Sequence, residues 1–312
     1  MEIELDNKYI HLAVGNFNID MVFYVDSIPG PDESTRARDL DIRPGGAASN
    51  YAAAVAQYGH SSFLIASVSR HPLALELLSH LEKLGVSIKY VKLVDQQPGL
   101  VVVMVLQSGE RIMIRYPGAN QELRETDIPG ELVEKANILH MASIPVELAV
   151  EIAKRARKHP LIITYDPGGY VEGLPRNKEI LEYINILFLN EKEYTKVKEW
   201  LKPQTIFKYG VSYIVVKQGS KGATLIEPSG LCYTARSQPL RKPVDTTGAG
   251  DAFNAFFNAR YLEEKDPAEA LMYGVTAGAL KVGYRGSILV YDEKQFSIQL
   301  EKTIVEKTIC NI

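Results

Sequence analysis

The chain has 312 residues, and its 38 acidic and 35 basic side chains leave a formal net charge of −3. Hydrophobic residues make up 46% and charged residues 23%, which is typical of a globular protein and excludes a disordered or collagen-like chain. A near-neutral chain offers little bulk attraction to nucleic acid or to an anionic membrane, so we expect a small-molecule partner, no nucleic acid and no membrane.

Short β-branched or aliphatic runs alternate with stretches whose apolar residues recur at helical spacing. This alternation predicts a doubly wound α/β fold, a mostly parallel sheet flanked by helices, as one domain over residues 1–312. The predicted strands are Tyr9–Val14, Phe63–Ala66, Asn137–Met141, Leu161–Tyr165, Ile184–Leu189 and Tyr213–Lys217. The predicted helices are Ala47–Tyr58, Pro72–Leu84, Val146–Lys158, Asn177–Tyr183, Glu191–Leu201 and Ala252–Leu262.

Two regions, about 21–42 and 99–116, contain consecutive strand-like pieces with no helix between them. Turn signals such as Pro29-Gly30-Pro31 and Ser108-Gly109 separate the pieces. We expect a small second sheet inserted in the domain as a lid over a ligand cleft. The alternative is that these strands extend the main sheet. The expected strands are Met21–Val25, Thr35–Ile42, Leu100–Leu106 and Arg111–Tyr116.

The acidic segment Met1–Asp6 has no apolar stretch of signal-peptide length, and the longest apolar run, Leu100–Leu106, is far shorter than the ~20 residues that span a bilayer. We therefore expect a cytoplasmic protein. Its two cysteines, Cys232 and Cys310, form no Cys-x-x-Cys pair, so we expect two free thiols and neither a disulfide framework nor a zinc site.

Residues 245–251 read Asp-Thr-Thr-Gly-Ala-Gly-Asp and precede a predicted helix. Glycines at a helix start let the backbone approach a ligand closely, and the free N–H groups there bind an anion such as phosphate. Asp251 would then stand beside a transferring phosphoryl group and accept a hydroxyl proton. The alternative is an ordinary capped helix, in which Thr247 is the N-cap and Asp251 favours the positive helix end.

Two further clusters can bind a polar ligand. Gly45-Gly46 precedes an alanine-rich helix that includes Asn50, whose amide offers both a donor and an acceptor to a hydroxylated ligand. Asn18-Ile19-Asp20 follows the first strand, where ligands collect at the carboxyl ends of an open α/β sheet. A packing turn and a surface Asx turn are the respective alternatives.

Several other kinds of site are absent from the sequence. None of the 23 glycines is followed by lysine, which excludes a Walker A loop. Phe253 replaces the third glycine of a dinucleotide-binding fingerprint. The six histidines show no metal-ligand spacing, and there is no Gly-x-Ser-x-Gly elbow.

Taken together, the motifs resemble the two signatures of the ribokinase-like carbohydrate kinases, the phosphofructokinase-B family. The first signature is Gly45-Gly46 with Asn50, and the second is the 245–251 segment about 200 residues later. The likeness runs from about residue 10 to about 290. Similar family elements are Asn18-x-Asp20, Gly118-Ala119-Asn120, Asn190-x-x-Glu193 and Lys217-x-Gly219-x-x-Gly222.

The resemblance implies an ATP-dependent sugar kinase that transfers the γ-phosphoryl group to a hydroxyl of a ribose-like pentose or a hexose. It implies Asp251 as the base, with Gly248, Ala249 and Gly250 as the anion hole. Some members bind a monovalent cation near Asp245 and Thr247, and the resemblance leaves this ion open. Substrate-binding roles would fall to Asp20, Gly45, Gly46, Asn50 and Asn120, and positive charge near the lid adds Arg115 to them. Nucleotide-binding roles would fall to Asn190, Lys217, Gly219, Gly222 and Thr247, and Asn190 and Glu193 would hold Mg²⁺ through water.

The acceptor stays open at this point. Typical ribokinases have a lysine inside the first signature, which here reads Gly-Gly-Ala-Ala-Ser-Asn, so the case for free ribose is weaker. Three segments look similar to those of archaeal nucleoside kinases. They are the Gly-Gly-Ala-Ala of this signature, Tyr165-Asp166-Pro167-Gly168 and Gly219-Ser220-Lys221-Gly222. A sugar phosphate is a third acceptor, and a non-catalytic sugar-binding regulator is an alternative of another class. The sugar phosphate would be bound by arginines near the lid, namely Arg36, Arg38, Arg43, Arg111 and Arg115.

A small sheet with free edges and an exposed apolar face is prone to aggregate unless another surface covers it. We therefore also expect a homodimer joined through the lids.

Overall fold

The computed structural model describes residues 9–107 and 110–310. Within these ranges the regular elements follow one another in the order expected of an α/β protein. The strands are β1 (Ile10–Gly15), β2 (Asn18–Val25), β3 (Ala37–Gly45), β4 (Ser61–Ile65), β5 (Ser67–Ser69), β6 (Val86–Ser87), β7 (Lys92–Val94), β8 (Leu100–Val105), β9 (Arg111–Tyr116), β10 (Ile138–Ala142), β11 (Ile162–Asp166), β12 (Ile186–Asn190), β13 (Tyr213–Lys217), β14 (Ala223–Ile226), β15 (Leu231–Ser237) and β16 (Thr303–Ile309). The helices are α1 (Ala47–Tyr58), α2 (Pro72–Lys83), α3 (Gly130–Lys135), α4 (Val146–Ala156), α5 (Ile180–Tyr183), α6 (Glu191–Trp200), α7 (Pro203–Lys208), α8 (Ala249–Glu264), α9 (Pro267–Lys281) and α10 (Glu293–Glu301).

Ten of the described strands form a large sheet in the order β16-β15-β14-β13-β12-β11-β10-β1-β4-β6, and β5 pairs separately with β7. Pairing is parallel from β13 to β6 and antiparallel from β13 to β16. The predicted doubly wound, mostly parallel α/β fold is therefore confirmed. The antiparallel end of the sheet is an addition that the alternation of strands and helices did not predict.

Helices cover both faces of this sheet, and β1 shows why its strands are apolar throughout. Leu12 and Val14 pack into the hydrophobic cluster on the side of α4, whereas Ala13 between them packs into the cluster that contains α1. Successive side chains of a strand point to opposite faces, so a strand covered on both sides must be apolar at every position.

Four strands form a separate small sheet in the order β3-β2-β8-β9, which we call the small sheet. This confirms the predicted second sheet and excludes the alternative that these strands extend the large one. It begins at Asn18 and reaches Gly45, so Asp20 lies on strand β2 and not in a surface turn. The predicted turn at Ser108-Gly109 and the segment Met1–Asp6 lie outside the described residues.

The expectation of two free thiols is wrong, because Cys232 and Cys310 form a disulfide bond. Cys232 lies on β15, and Cys310 directly follows its antiparallel neighbour β16. Strand pairing brings the two Cα atoms to 5.8 Å although the residues are 78 positions apart. Spacing along the chain gives no sign of such a pairing.

No helix in the described ranges is both long enough and apolar enough to cross a bilayer.

Candidate active site

The glycines before α1 bring the backbone against Asp20. A Cβ atom at Gly45 would lie 2.1 Å from Asp20 Cγ, so only glycine lets β3 approach this carboxyl group so closely. Gly46 begins α1 as its N-cap residue. Asp20 is buried, and burial raises its pKa to about 7; the Arg43 charge acts against this shift and Asp251 reinforces it.

Asp251 lies in the first turn of α8 and contacts a side chain of α1. Asn50 Nδ2 donates a hydrogen bond to Asp251 Oδ2 at 2.8 Å, although the two residues are 201 positions apart. Burial raises the pKa of Asp251 to about 6, while the Asn50 hydrogen bond and the Lys217 charge act in the opposite direction. A carboxylate whose pKa lies near neutrality is well suited to accept a proton at neutral pH.

The loop before α8 is held from one side by Asp245. Asp245 Oδ1 accepts the Thr247 N–H at 2.9 Å, and Oδ2 accepts the Gly286 N–H at 3.1 Å. Burial acts to raise the pKa of Asp245, but its hydrogen bonds with Thr247 and the charges of Lys281 and Arg43 outweigh burial and hold this pKa below its usual range. The carboxylate therefore stays charged and ties the loop to the turn that follows α9.

Gly248 ends this loop as the N-cap of α8, with a φ of 75°. A Cβ atom there would lie 1.7 Å from Ser287 O, so this position requires glycine for both conformation and space. The first N–H groups of α8 have no intrahelical partner. The N–H of Ala249 nevertheless donates to Thr246 O at 3.3 Å, which leaves Gly248 and Gly250 as the freer anion-binding positions of the motif.

A cleft of about 760 Å³ lies where the small sheet faces the N-termini of α1 and α8. Three of its polar atoms, Asp20 Oδ1, Arg43 Nε and Asn50 Oδ1, are buried and have no hydrogen-bond partner among the described residues. Buried polar atoms are normally paired, so these three indicate a polar ligand. The predicted site residues that line the cleft are Asp20, Gly46, Asn50, Arg115, Asn120, Thr247, Gly248 and Asp251.

Asn120 joins the cleft through its neighbours. Its Nδ2 donates to Asn18 Oδ1 at 2.7 Å, and its Oδ1 accepts the Phe17 N–H at 3.0 Å. Because these hydrogen bonds already engage both ends of its amide, Asn120 holds Asn18 and the start of β2 in place at the cleft wall.

Three of the five arginines singled out in the sequence line the cleft: Arg43, Arg111 and Arg115. Arg43 Nη2 pairs with Asp245 Oδ2 at 3.0 Å, and Arg111 Nη1 donates to Thr247 Oγ1 at 3.4 Å. Both contacts join the small sheet to the loop before α8. The remaining two lie on the exposed surface, where Arg38 pairs with Asp26 and Arg36 is solvated.

Two of the predicted nucleotide-binding residues, Asn190 and Lys217, lie beside Asp166 where neighbouring strands of the large sheet end. Asp166, Asn190 and Lys217 end the adjacent strands β11, β12 and β13. Lys217 Nζ donates to Asp166 Oδ2 at 2.5 Å and to Asn254 Oδ1 at 3.3 Å. A Cβ atom at Gly250 would lie 3.3 Å from Lys217 Nζ, so these strand ends adjoin the first turn of α8.

Gly219 and Gly222 flank the short turn between β13 and β14, and both have positive φ. Within the described ranges, these two glycines, Asn190 and Lys217 are not part of the cleft lining. The predicted site thus has two adjoining parts, the cleft and the carboxyl ends of strands β11 to β13. Asp251 lies where these two parts meet.

Asn190 and Glu193 bind each other at the start of α6. Asn190 Oδ1 accepts the Glu193 N–H at 2.9 Å, and Glu193 Oε2 accepts the Asn190 N–H at 2.8 Å, which is a capping box. Burial, followed by the Asp166 charge, raises the pKa of Glu193 to about 7. In the described residues, no group of three or more His, Cys, Asp or Glu side chains could hold a metal ion.

Sequence reasoning missed three polar residues of this region. Asn16 lines the cleft and donates to Ser143 O at 3.1 Å. Asp166 binds both Lys217 and Asn254, which donates to Asp166 Oδ2 at 2.7 Å. The position of Asp166 directly after a buried strand was an available signal, whereas Asn254 inside an apolar helix gave none.

The chain matches the pfkB family carbohydrate kinases over residues 11–294. It is 30% identical over 277 residues to an ATP-dependent ribose-1-phosphate kinase of Halopiger xanaduensis, covering 88% of this chain and 93% of that protein.

Solved structures show the same fold. A nucleoside kinase of Methanocaldococcus jannaschii, an archaeal member of the ribokinase family, superposes with a TM-score of 0.86 at 22% identity, covering 95% of this chain and 99% of that chain. Arabidopsis thaliana ribokinase, determined in complex with ribose and ATP, gives a TM-score of 0.81 at 26% identity with the same coverage. With the family match over most of its length, the chain belongs to the pfkB family of carbohydrate kinases and is a phosphotransferase that acts on a sugar hydroxyl.

Proposed function

We propose that this protein transfers the γ-phosphoryl group of ATP to a hydroxyl of a small sugar, a ribose-like pentose or a hexose, with Asp251 as the base. The main support is the position of Asp251. Its carboxylate lies in the first turn of α8, lines the cleft and has a pKa raised to about 6. It is therefore charged at neutral pH and still basic enough to take the hydroxyl proton.

The roles of the other residues follow from their positions. The unpartnered atoms of Asp20 and Asn50 hold sugar hydroxyls, which orients one hydroxyl toward Asp251. The backbone N–H groups at Gly248 and Gly250 hold the phosphoryl oxygens. Phosphoryl transfer depends mainly on such positioning and charge stabilisation, and a cleft closed by the small sheet excludes water that would hydrolyse the donor.

The strand edge beside Lys217 takes the nucleotide in this proposal. Its Asn190 and Glu193 fit Mg²⁺ bound through water, because both offer oxygen atoms and the Glu193 carboxylate lies near the like charge of Asp166, which a cation would offset. Mg²⁺ would neutralise phosphate charge there. The capping box is the competing role of these two residues.

A sugar phosphate is a second candidate acceptor. Arg43, Arg111 and Arg115 line one cleft, and the Nε of Arg43 is buried without a partner among the described atoms. Arginine binds phosphate well through its planar fork of donors. The relationship to a ribose-1-phosphate kinase favours the same class, and the likeness in fold to a nucleoside kinase keeps a nucleoside as a further alternative.

The test is a substrate panel. The protein is incubated with ATP and Mg²⁺ and with pentoses, hexoses, ribose 1-phosphate or nucleosides, and ADP is measured. ADP is also tried as the donor, and AMP is then measured. If a sugar phosphate is the acceptor, Arg115→Ala should raise the KM for it and leave the KM for free ribose unchanged. If sugars shift the melting temperature of the protein but none of the compounds causes release of ADP from ATP, the proposed transfer is contradicted.

A cytoplasmic location and a homodimer complete the proposal. The location is tested by fractionating the native cells. The homodimer is supported by the exposed apolar face of the small sheet.

A further inference from the structure

Lys281 is a buried cation that the proposed transfer does not use directly. It is the last residue of α9, and its side chain is fully buried. Its Nζ donates to Asp245 O at 2.8 Å and to Tyr284 O at 3.3 Å. One carbonyl belongs to the loop before α8 and the other to the turn after α9, so the ammonium joins these two segments.

The charged groups that face Lys281 come from three other segments. Burial lowers the pKa of Lys281 to about 8; Asp245 on its loop and Asp251 on α8 favour the ammonium form, and Arg43 on β3 opposes it. Because about 8 is above neutral pH, Lys281 is mainly cationic at pH 7. The protein therefore keeps a positive charge beside the loop before α8, although removing this charge from water is unfavourable.

A monovalent cation does not fit against these carbonyls. Such an ion takes carbonyl oxygens in place of its hydration shell. Here the ammonium of Lys281 already engages Asp245 O and Tyr284 O, and a second cation in contact with it would be repelled strongly in a buried place. The ion left open near Asp245 and Thr247 by the family resemblance therefore disagrees with this structure.

We propose that Lys281 is a built-in cation: a positioning residue that holds the 245–248 loop for phosphoryl transfer and makes the protein independent of added monovalent cations. The expected effect of Lys281 on kcat rests on the proposed function. Its role in holding the 245–248 loop without a monovalent cation does not. Gly248 packs against Ser287 O, so the loop it ends has little freedom to adjust if the link from Asp245 O to the turn after α9 is lost.

The kinetic test compares about 0.1 M KCl with choline chloride at equal ionic strength, so that screening is the same in both. Wild-type kcat should be equal in the two salts. Lys281→Met removes the charge at similar length, and in choline chloride kcat should fall about 10²-fold through misplacement of the loop. KCl should restore part of this loss, because the vacated carbonyls can then bind K⁺. Lys294→Met, at an exposed position of α10, is the matched control and should behave as wild type in both salts.

A second readout does not depend on activity. KCl should raise the melting temperature of Lys281→Met above that in choline chloride, because K⁺ binds only the folded state, and should leave the wild type unchanged. Activation or stabilisation of the wild type by KCl would overturn the proposal, as would a Lys281→Met variant that keeps full kcat in choline or gains nothing from KCl. If the variant does not fold, the wild-type comparison still decides. If the substrate panel shows no transfer, the proposed function fails while the melting measurement still tests Lys281.

Discussion

At the scale of single residues, a substitution of Asp251 tests its role as the base separately from sugar binding. Asp251→Asn keeps nearly the same shape but removes the proton acceptor. General-base contributions are typically ~10²–10⁴-fold, so kcat should fall by about that much in a steady-state assay, with little change in sugar affinity. A variant that kept more than about a tenth of the wild-type kcat, with chemistry rate-limiting, would show that Asp251 is only a helix-start carboxylate.

Asp20→Ala is the companion variant and should show the opposite pattern. Its Oδ1 is buried without a partner in the described part of the chain, which is the state of a group that awaits a ligand hydroxyl. Removing it should chiefly raise the sugar KM and lower kcat only as far as misplacement costs.

The pH dependence of the reaction follows from the pKa of Asp251, which burial raises to about 6. The base must be deprotonated to accept a proton, so kcat should decline as the pH falls through about 6. Above that pH kcat should stay constant up to the range near pH 8, where Lys281 loses its charge. A pH profile of kcat measures this directly. An acid limb that persists unchanged in the residual activity of Asp251→Asn would assign it to another group.

At the scale of elements, the start of α6 poses a choice between a helix cap and a metal site. Glu193→Gln keeps an oxygen that can accept the Asn190 N–H, so the capping box survives while the negative charge is lost. If Glu193 holds water around Mg²⁺, the variant should need more Mg²⁺ for half-maximal activity, with a smaller change in the sugar KM. Glu191→Gln is the matched control, since Glu191 lies in the same turn and pairs with exposed Lys221. An unchanged Mg²⁺ dependence in Glu193→Gln would show that Glu193 only caps the start of α6.

The small sheet has two unlike faces, as alternation along β9 predicts. Arg111, Met113 and Arg115 line the cleft, while Ile112 and Ile114 are 44% and 59% exposed on the other face. We expect this apolar face to pair with a second copy, so light scattering at micromolar concentration should give a dimer, and Ile114→Asp a monomer. Ile304→Asp, an equally exposed isoleucine on β16, should stay dimeric. A monomeric wild type would contradict the pairing without affecting the fold.

At the scale of the whole molecule, the Cys232–Cys310 disulfide closes a separation of 78 residues that includes α8, α9 and the loop between β15 and α8. A native disulfide restricts the unfolded chain and typically contributes about 2–4 kcal/mol to stability. Cys310→Ser should lower the free energy of unfolding by about that amount in a denaturant titration. Reductant should destabilise the wild type similarly and have no effect on the variant; equal stability of all samples would show that the bond contributes nothing.

Local patterns in the sequence predicted much of this protein. Apolar runs marked six parallel strands of the large sheet, because a strand covered by helices on both faces is apolar at every position. These strands are β1, β4, β10, β11, β12 and β13. Gly45-Gly46 and the 245–251 segment marked two helix starts, because close backbone approach requires glycine there. The family motifs then identified the reaction class that the comparisons confirm.

Only the tertiary structure decided which distant residues meet. The β15–β16 pairing, the disulfide at its end and the Asn50–Asp251 hydrogen bond all join positions that are far apart along the chain. No sequence pattern singled out Lys281, and only packing buried it against Asp245 O and Tyr284 O. Propensity and periodicity describe a residue's neighbours along the chain, whereas contacts across the chain depend on how whole elements pack, and that information is spread over the complete sequence.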